Sequence, residues 1–379
     1  AELFPLVSSS NSVQRVGKSI AEIASGSLDF DVEPEQSESQ SDDFDNETVY
    51  CRSIISFELL LIHTLRIFCT QKSWDDLTPR IRASNLMLCF ERLLQHDERT
   101  IKSFIELLWQ VRYQFDTWVV KWVEHDDRED AQLRLTSISK NKAYINRKAK
   151  ELGLLAQLQA VRNFTGDRSA QYWLTAFLCR LVADPKANDE DVVTLLESID
   201  NKMSLTRETQ KEASFKLASD ISPQTIPWED QAIYLKSSLG TRFEHYWFQK
   251  LEYLLWKKGD KTNDDKLKRY RITSKNSVEH VHPQNEEYHH ELEKSPLNAF
   301  GNLVLLSPGK NSSYSNQTVA KKKADFDSKP RYDALKLKDI FETYTQSNSQ
   351  WSAIEIDKHQ QNMLKLLEKH YMEGVVNGQ

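Results

Sequence analysis

The chain has 379 residues, 28% of them charged, 39% hydrophobic and 10% aromatic, with a formal net charge of -6. That length buries a sizeable core and excludes a small scaffold that needs disulfide staples. The most apolar run, Ile54 to Cys69, is broken by Glu58, His63 and Arg66, which excludes a membrane span there.

In chain order, residues 1–28 carry an apolar spacing (Val13, Val16, Ile20, Ile23) that predicts a short helix. Asp29 to Glu47 then holds nine acids and no base, and Asp29 to Asn46 reads as a flexible linker. Helices are predicted over Tyr50–Thr70, Ser84–His96 and Thr100–Val123, the last with Ile101, Phe104, Ile105, Leu108, Val111, Phe115, Trp118 and Trp122 along an amphipathic face. A helix with many surface bases is expected over Asp130–Leu158, followed by Tyr172–Val182 and Asp189–Met203. Pro223 and Pro227 mark a turn, after which Trp228–Ser237 and the aromatic-rich Arg242–Trp256 continue the helical pattern. Closing helices are expected over Tyr332–Tyr344 and Ile354–Tyr371. The division that follows is an N-terminal segment 1–48, a helical domain 49–227 and a C-terminal domain 228–379. The fold class is mainly α.

Cys51, Cys69, Cys89 and Cys179 are scattered through apolar segments without a CxxC pair, as expected of reduced core thiols in a cytoplasmic protein. No basic flank with an apolar core opens the chain, so no secretory leader is expected. No P-loop, GxGxxG or GxSxG motif occurs.

The chemistry converges on Ser277 to Asn316, SVEHVHPQNEEYHHELEKSPLNAFGNLVLLSPGKNSSYSN. Val278 to Val281 is a β-branched run stopped by Pro283, and Leu303 to Leu306 is a second run opened by Gly301. The two are predicted to pair as an antiparallel hairpin. A helix through Thr318, Val319, Ala320 and Lys323 follows, with capping residues offered between Asn311 and Asn316. Strand, long loop, strand and helix make a ββα plan.

The pattern EHVHP, then GNLVLL, then a further Asn and a KKK run resembles the HNH, or ββα-metal, nuclease domain of the HxxP type. That domain closes GmrSD-family modification-dependent restriction endonucleases and occurs in BrxU-like and SspE-like phage-defence proteins. The resemblance implies metal-dependent cleavage or nicking of foreign or modified DNA in bacterial defence. It implies His280 as the general base, Glu279 and Asn311 as ligands of Mg²⁺ or Mn²⁺, and Asn302 as the brace that orients the histidine. Neighbouring residues on a regular strand face opposite ways, so Glu279 and His280 can share a site only if the strand end is distorted. His282 stands where the family commonly has an aliphatic residue. It reads as a structural histidine, and His289 and His290, with Glu286 and Glu287, as a solvated loop face.

Two basic stretches flank this region, Lys257–Lys275 and Lys310–Lys338, each with eight bases against three acids. They favour DNA as partner, with Lys321, Lys322, Lys323 and Asn316 as contacts. The DGQQR motif of the family's nucleotide-using sensor domain is not in the chain, so that domain is expected on another chain or upstream. A catalytically silent DNA-binding scaffold and an RNA nuclease are the alternatives.

Overall fold

The computed structural model describes residues 50–74, 81–91, 93–124, 131–141, 144–284, 292–307 and 316–376, with Gly309 and Tyr314. The linker Asp29–Asn46, Glu286, Glu287, His289, His290 and Asn311 lie outside them. Residues 47–379 form one compact, mostly helical unit.

A short strand β1 (Tyr50–Ser53) stands where the N-terminal end of the first helix was expected, and α1 (Phe57–Gln71) starts after it under the N-cap Ser56. His63, fully buried on the apolar face of this helix, is satisfied by Thr175 Oγ1 at 2.7 Å and the Ala170 carbonyl at 3.0 Å. Burial pushes its pKa down to about 4, so it packs as a neutral ring. The segment Ser84–His96 is only a chain of short turns, with one helical stretch at Leu86–Phe90.

Helix α2 (Glu98–Trp118) is capped by Asp97 and stops because Val119 and Val120 leave helical geometry for strand β2 (Lys121–Glu124). The Lys121 ammonium closes that end by donating to the Phe115, Asp116 and Val119 carbonyls at 2.6, 3.2 and 2.7 Å. The helix expected over Asp130–Leu158 is instead mostly sheet. Strand β3 (Gln132–Arg134) joins β1 and β2 in a three-stranded antiparallel sheet, and β4 (Thr136–Asn141) pairs with β5 (Tyr144–Ala149) from Thr136 opposite Ala149 to Asn141 opposite Tyr144. The reason is legible afterwards. Thr136, Ile138 and Ile145 are β-branched and alternate with polar neighbours, a period of two that surface bases had disguised as a helix face.

Four helices then stack: α3 (Leu154–Thr165), α4 (Trp173–Ala183), α5 (Asp189–Ser204) and α6 (Gln210–Ala218). The last, not anticipated, is held by a capping box between Thr209 and Glu212. Helices α7 (Trp228–Lys236) and α8 (His245–Lys258) follow. α8 is buried on most of its circumference, with Trp247, Phe248, Leu251, Tyr253, Leu254 and Trp256 inside, each contributing about 1.5–3 kcal/mol of apolar burial.

A buried polar cluster joins these helices. Asp200 on α5, fully buried, accepts from Arg162 of α3, from Lys250 Nζ of α8 at 2.5 Å and from the Tyr246 hydroxyl at 2.9 Å. Burial alone would raise the carboxyl pKa, but the two cations outweigh it and hold it at about 2.

The C-terminal part centres on the hairpin of β6 (Ser277–His280) and β7 (Leu303–Leu306), paired antiparallel with Glu279 opposite Val304 and His280 opposite Leu303. All four β7 residues are buried because the ribbon has a core on each side. Leu303 and Leu305 belong to the main core with α8, while Val304 and Leu306 belong to a second core. That second core is built with α9 (Val319–Ser328), α10 (Leu335–Gln346) and α11 (Ala353–Val376). The strand, strand and helix order β6, β7, α9 is as expected, although the cap of α9 is Thr318 and not a residue between Asn311 and Asn316. Glu252 of α8 caps α10 by accepting from the Leu335 and Lys336 amides at 2.6 and 3.1 Å.

Gly301 opens β7 where α11 crosses it. A Cβ there would collide with the Ile356 carbonyl and come within 2.9 Å of Gln360 Cβ. Gly301→Ala is therefore expected to lower stability by roughly 1–3 kcal/mol through forced displacement of α11. A denaturant melt indistinguishable from the wild type would show that this crossing is slack.

Candidate active site

His280 ends β6 opposite Leu303, on the face of the ribbon turned to the main core, with 6% of its surface exposed. Its Nε2 lies 3.1 Å from Asn298 Oδ1. Asn298 is oriented by its own amide, whose Nδ2 donates to the Lys294 carbonyl at 3.1 Å, so its oxygen faces the imidazole. His280 therefore carries its proton on Nε2 and leaves Nδ1 as the basic nitrogen. Burial lowers its pKa, countered by the Asn298 bond and the Glu279 charge, so the ring is neutral at neutral pH.

Asn298 is held in turn by Gly240, whose amide donates to the Asn298 carbonyl at 3.0 Å. Gly240 has φ +59°, and a Cβ on it would reach Asn298 Oδ1 at 2.8 Å. Both the left-handed backbone and the close approach require glycine. Sequence reasoning missed Asn298. The one available signal is its place between the Lys294–Leu297 turn and the GNLVLL run.

Asn302 is fully buried and spends its amide on the chain around it. Its Oδ1 accepts from the His282 amide at 2.9 Å and from Trp351 Nε1 at 3.0 Å, and its Nδ2 donates to the Leu297 and His282 carbonyls at 2.9 and 3.3 Å. This one side chain ties together the turn after β6, the start of β7 and Trp351, just ahead of α11. Asn302→Ala leaves several buried groups unpaired and is expected to cost about 2–4 kcal/mol, read as a lowered denaturation midpoint. His282 is buried as well, and its Nδ1–H donates to the Pro283 carbonyl at 3.1 Å.

Glu279 lies on the opposite face of the ribbon from His280, as the regular alternation of β6 requires. Its Oε1 accepts from Lys322 Nζ at 3.0 Å, and the same ammonium donates to the His280 carbonyl at 2.7 Å. Lys322 thus sits inside, 2% exposed, and ties α9 to the end of β6. Burial lowers its pKa, opposed by the Glu279 charge. Of its neighbours, Lys323 pairs with Asp327 at 2.5 Å, whereas Lys321 and Asn316 are exposed. Lys275 and Lys336 are also buried: Lys275 donates to the Tyr270 hydroxyl at 2.8 Å, and Lys336 to the Phe300 carbonyl at 2.6 Å and to the Leu303 carbonyl.

Among the described residues no three His, Cys, Asp or Glu side chains come together as a metal cage. Glu279 offers a single carboxylate, and Asn311 lies outside the described residues. One carboxylate, already paired with the buried Lys322, does not make a closed structural zinc site.

Residues 228–366 match the family model of GmrSD restriction endonucleases, C-terminal domain, so the family expected from the motif is the one found for this stretch. No curated protein and no solved structure matches the chain. Among the described residues no helix is long and apolar enough to cross a membrane.

Proposed function

We propose that residues 228–379 form an HNH-type, ββα-metal nuclease that hydrolyses phosphodiester bonds in DNA, with His280 as general base. The observation that carries this reading is the His280–Asn298 pair, inside a stretch matched to a restriction endonuclease domain. A base for water must be neutral at working pH, fixed in tautomer and placed at an element's end, and His280 meets these three conditions. Its Nδ1 accepts the proton of the attacking water while Nε2–H stays on Asn298. Asn302 keeps the turn after β6 in register, and Lys322, bonded to Glu279 and to the His280 carbonyl, ties α9 to the end of β6.

By the resemblance, Glu279 and Asn311 would hold Mg²⁺ or Mn²⁺, which neutralises charge developing on the phosphate; because Glu279 faces away from His280 and is paired with Lys322, its part in this site requires release from that lysine and a turn of the strand end. Lys321 and Asn316 are the exposed candidates for contact with the DNA backbone. Action on foreign or modified DNA in defence, and a separate sensor domain, belong to the same reading through the family.

The test is incubation of supercoiled plasmid with the full chain in Mg²⁺, Mn²⁺ or EDTA. Nicked or linear product in the metal lanes and none in EDTA is expected. Retained DNA binding with intact plasmid in every lane would favour the silent scaffold instead.

The pH profile is a second check. Because His280 works unprotonated and burial lowers its pKa from 6.5, the rate should hold through neutral pH and fall only as pH drops below about 6.5. An acid limb centred above that value would assign the base to another group.

A further inference from the structure

A cavity of about 220 Å³ opens between β1, the start of α1, the end of α2 and β5, far in sequence from the hairpin. Its lining includes Arg112, Lys121 and Arg147 but, among the described residues, only one carboxylate, Asp116. Lys121 is spent on the three carbonyls at the end of α2 and offers no free donor, and burial lowers its pKa to about 7, so the lasting positive charge is that of the two arginines. The two guanidiniums differ. Arg112 uses Nε on Asp116 Oδ2 at 2.6 Å, and Arg147 uses one terminal nitrogen on Asp116 Oδ1 at 3.2 Å and the other on Thr136 Oγ1 at 3.4 Å. One carboxylate thus serves two arginines and leaves further guanidinium N–H groups of Arg112 beside the cavity. The N-terminus of the 15-residue helix α1, with Ser53 and Ser56, forms another wall.

We infer that this pocket binds a phosphate-class oxyanion, with Arg112 and Arg147 as its guanidinium contacts. Positive charge exceeds negative in a partly enclosed site, and an arginine fork matches phosphate oxygens. The volume suits one phosphate group with a few waters and is below the roughly 300–1,000 Å³ of sites that enclose a larger ligand. The phosphate comes either free in solution or on a nucleic-acid strand, and Phe57, exposed at the rim, offers a flat apolar surface to a base beside it.

Cys51 lines the same cavity and is partly exposed, while Cys69, Cys89 and Cys179 are buried, so its alkylation reports occupancy. The full chain is treated with N-ethylmaleimide at constant ionic strength, and Cys51 labelling is followed by mass spectrometry. Inorganic phosphate is expected to slow labelling at least about fivefold relative to chloride. Arg112→Gln and Arg147→Gln should each remove that protection, with circular-dichroism melts confirming the fold. A single-stranded oligonucleotide that protects at lower concentration than phosphate, and is displaced by phosphate, assigns the strand as the source. Protection by phosphate alone assigns the free oxyanion. Equal labelling in phosphate, oligonucleotide and chloride overturns the inference on the wild-type chain alone, as does protection that survives in both variants. The pocket lies outside residues 228–366, so plasmid nicking scored on the same variants separates its failure from failure of the nuclease reading.

Discussion

Replacing His280 with alanine is expected to lower plasmid nicking by about 10²- to 10⁴-fold, the usual contribution of a positioned general base. The change also removes a buried ring and leaves Asn298 Oδ1 without its partner, so a loss of about 1–3 kcal/mol in stability should accompany it. Activity is therefore measured well below the variant's melting transition. Asn298→Ala provides the matched comparison. It leaves the base in place but frees its tautomer and rotation, so kcat should fall by a smaller factor while KM for DNA changes little. Rescue should come from Asn298→Gln only to the extent that the longer amide reaches Nε2. Undiminished nicking by the His280 variant would transfer the role of base to another residue, with His282 the nearest imidazole in sequence.

Asp200→Asn should be the most destabilising single change in the helical part, at about 3–5 kcal/mol, because it strands Arg162 and Lys250 without their carboxylate in a dry interior. Urea melts of the two chains measure it directly. The same group sets a pH dependence. Its folded pKa of about 2 lies below the ordinary 3.8, so its contribution is fully present above 3.8 and disappears as pH falls toward 2. The difference amounts to about 2 kcal/mol, and Asp200→Asn should lose that part of the acid sensitivity. A variant that melts like the wild type at pH 7 would mean that the arginine and lysine find other partners. The Tyr246 hydroxyl, already bonded to Asp200, would then be the residue to replace next.

Much of the helical plan follows from local pattern. Asp189–Ser204 is legible because its Asn188 cap and its apolar spacing agree, and Trp228–Lys236 because Pro227 marks its start. The strands β3 to β5 are not, since their alternation is short and half hidden by lysines and arginines that suit a helix surface equally well. Local propensity is a weak discriminator there, and the partner strand supplies the rest.

Around the hairpin, the sequence alone determined the two paired strands and the glycine that opens the second, because strand runs, a proline stop and a glycine leave short-range marks, and it singled out His280, Glu279 and Asn302 as the residues proposed for the chemistry. Only the tertiary structure decided what those residues touch. It brought in Asn298 as the partner of His280, drew Trp351 from 49 residues downstream onto Asn302, and put Glu279 on the face away from the imidazole. It also divided the basic residues. Lys275, Lys322 and Lys336 read in the sequence like any surface lysine, yet each ammonium is buried on internal acceptors, whereas Lys321 remains in solvent. Composition counts charges, but whether a charge meets water or a carbonyl depends on which helix is laid over it. That choice is made by two cores closing on opposite faces of one ribbon, a non-local event that no stretch of chain encodes by itself.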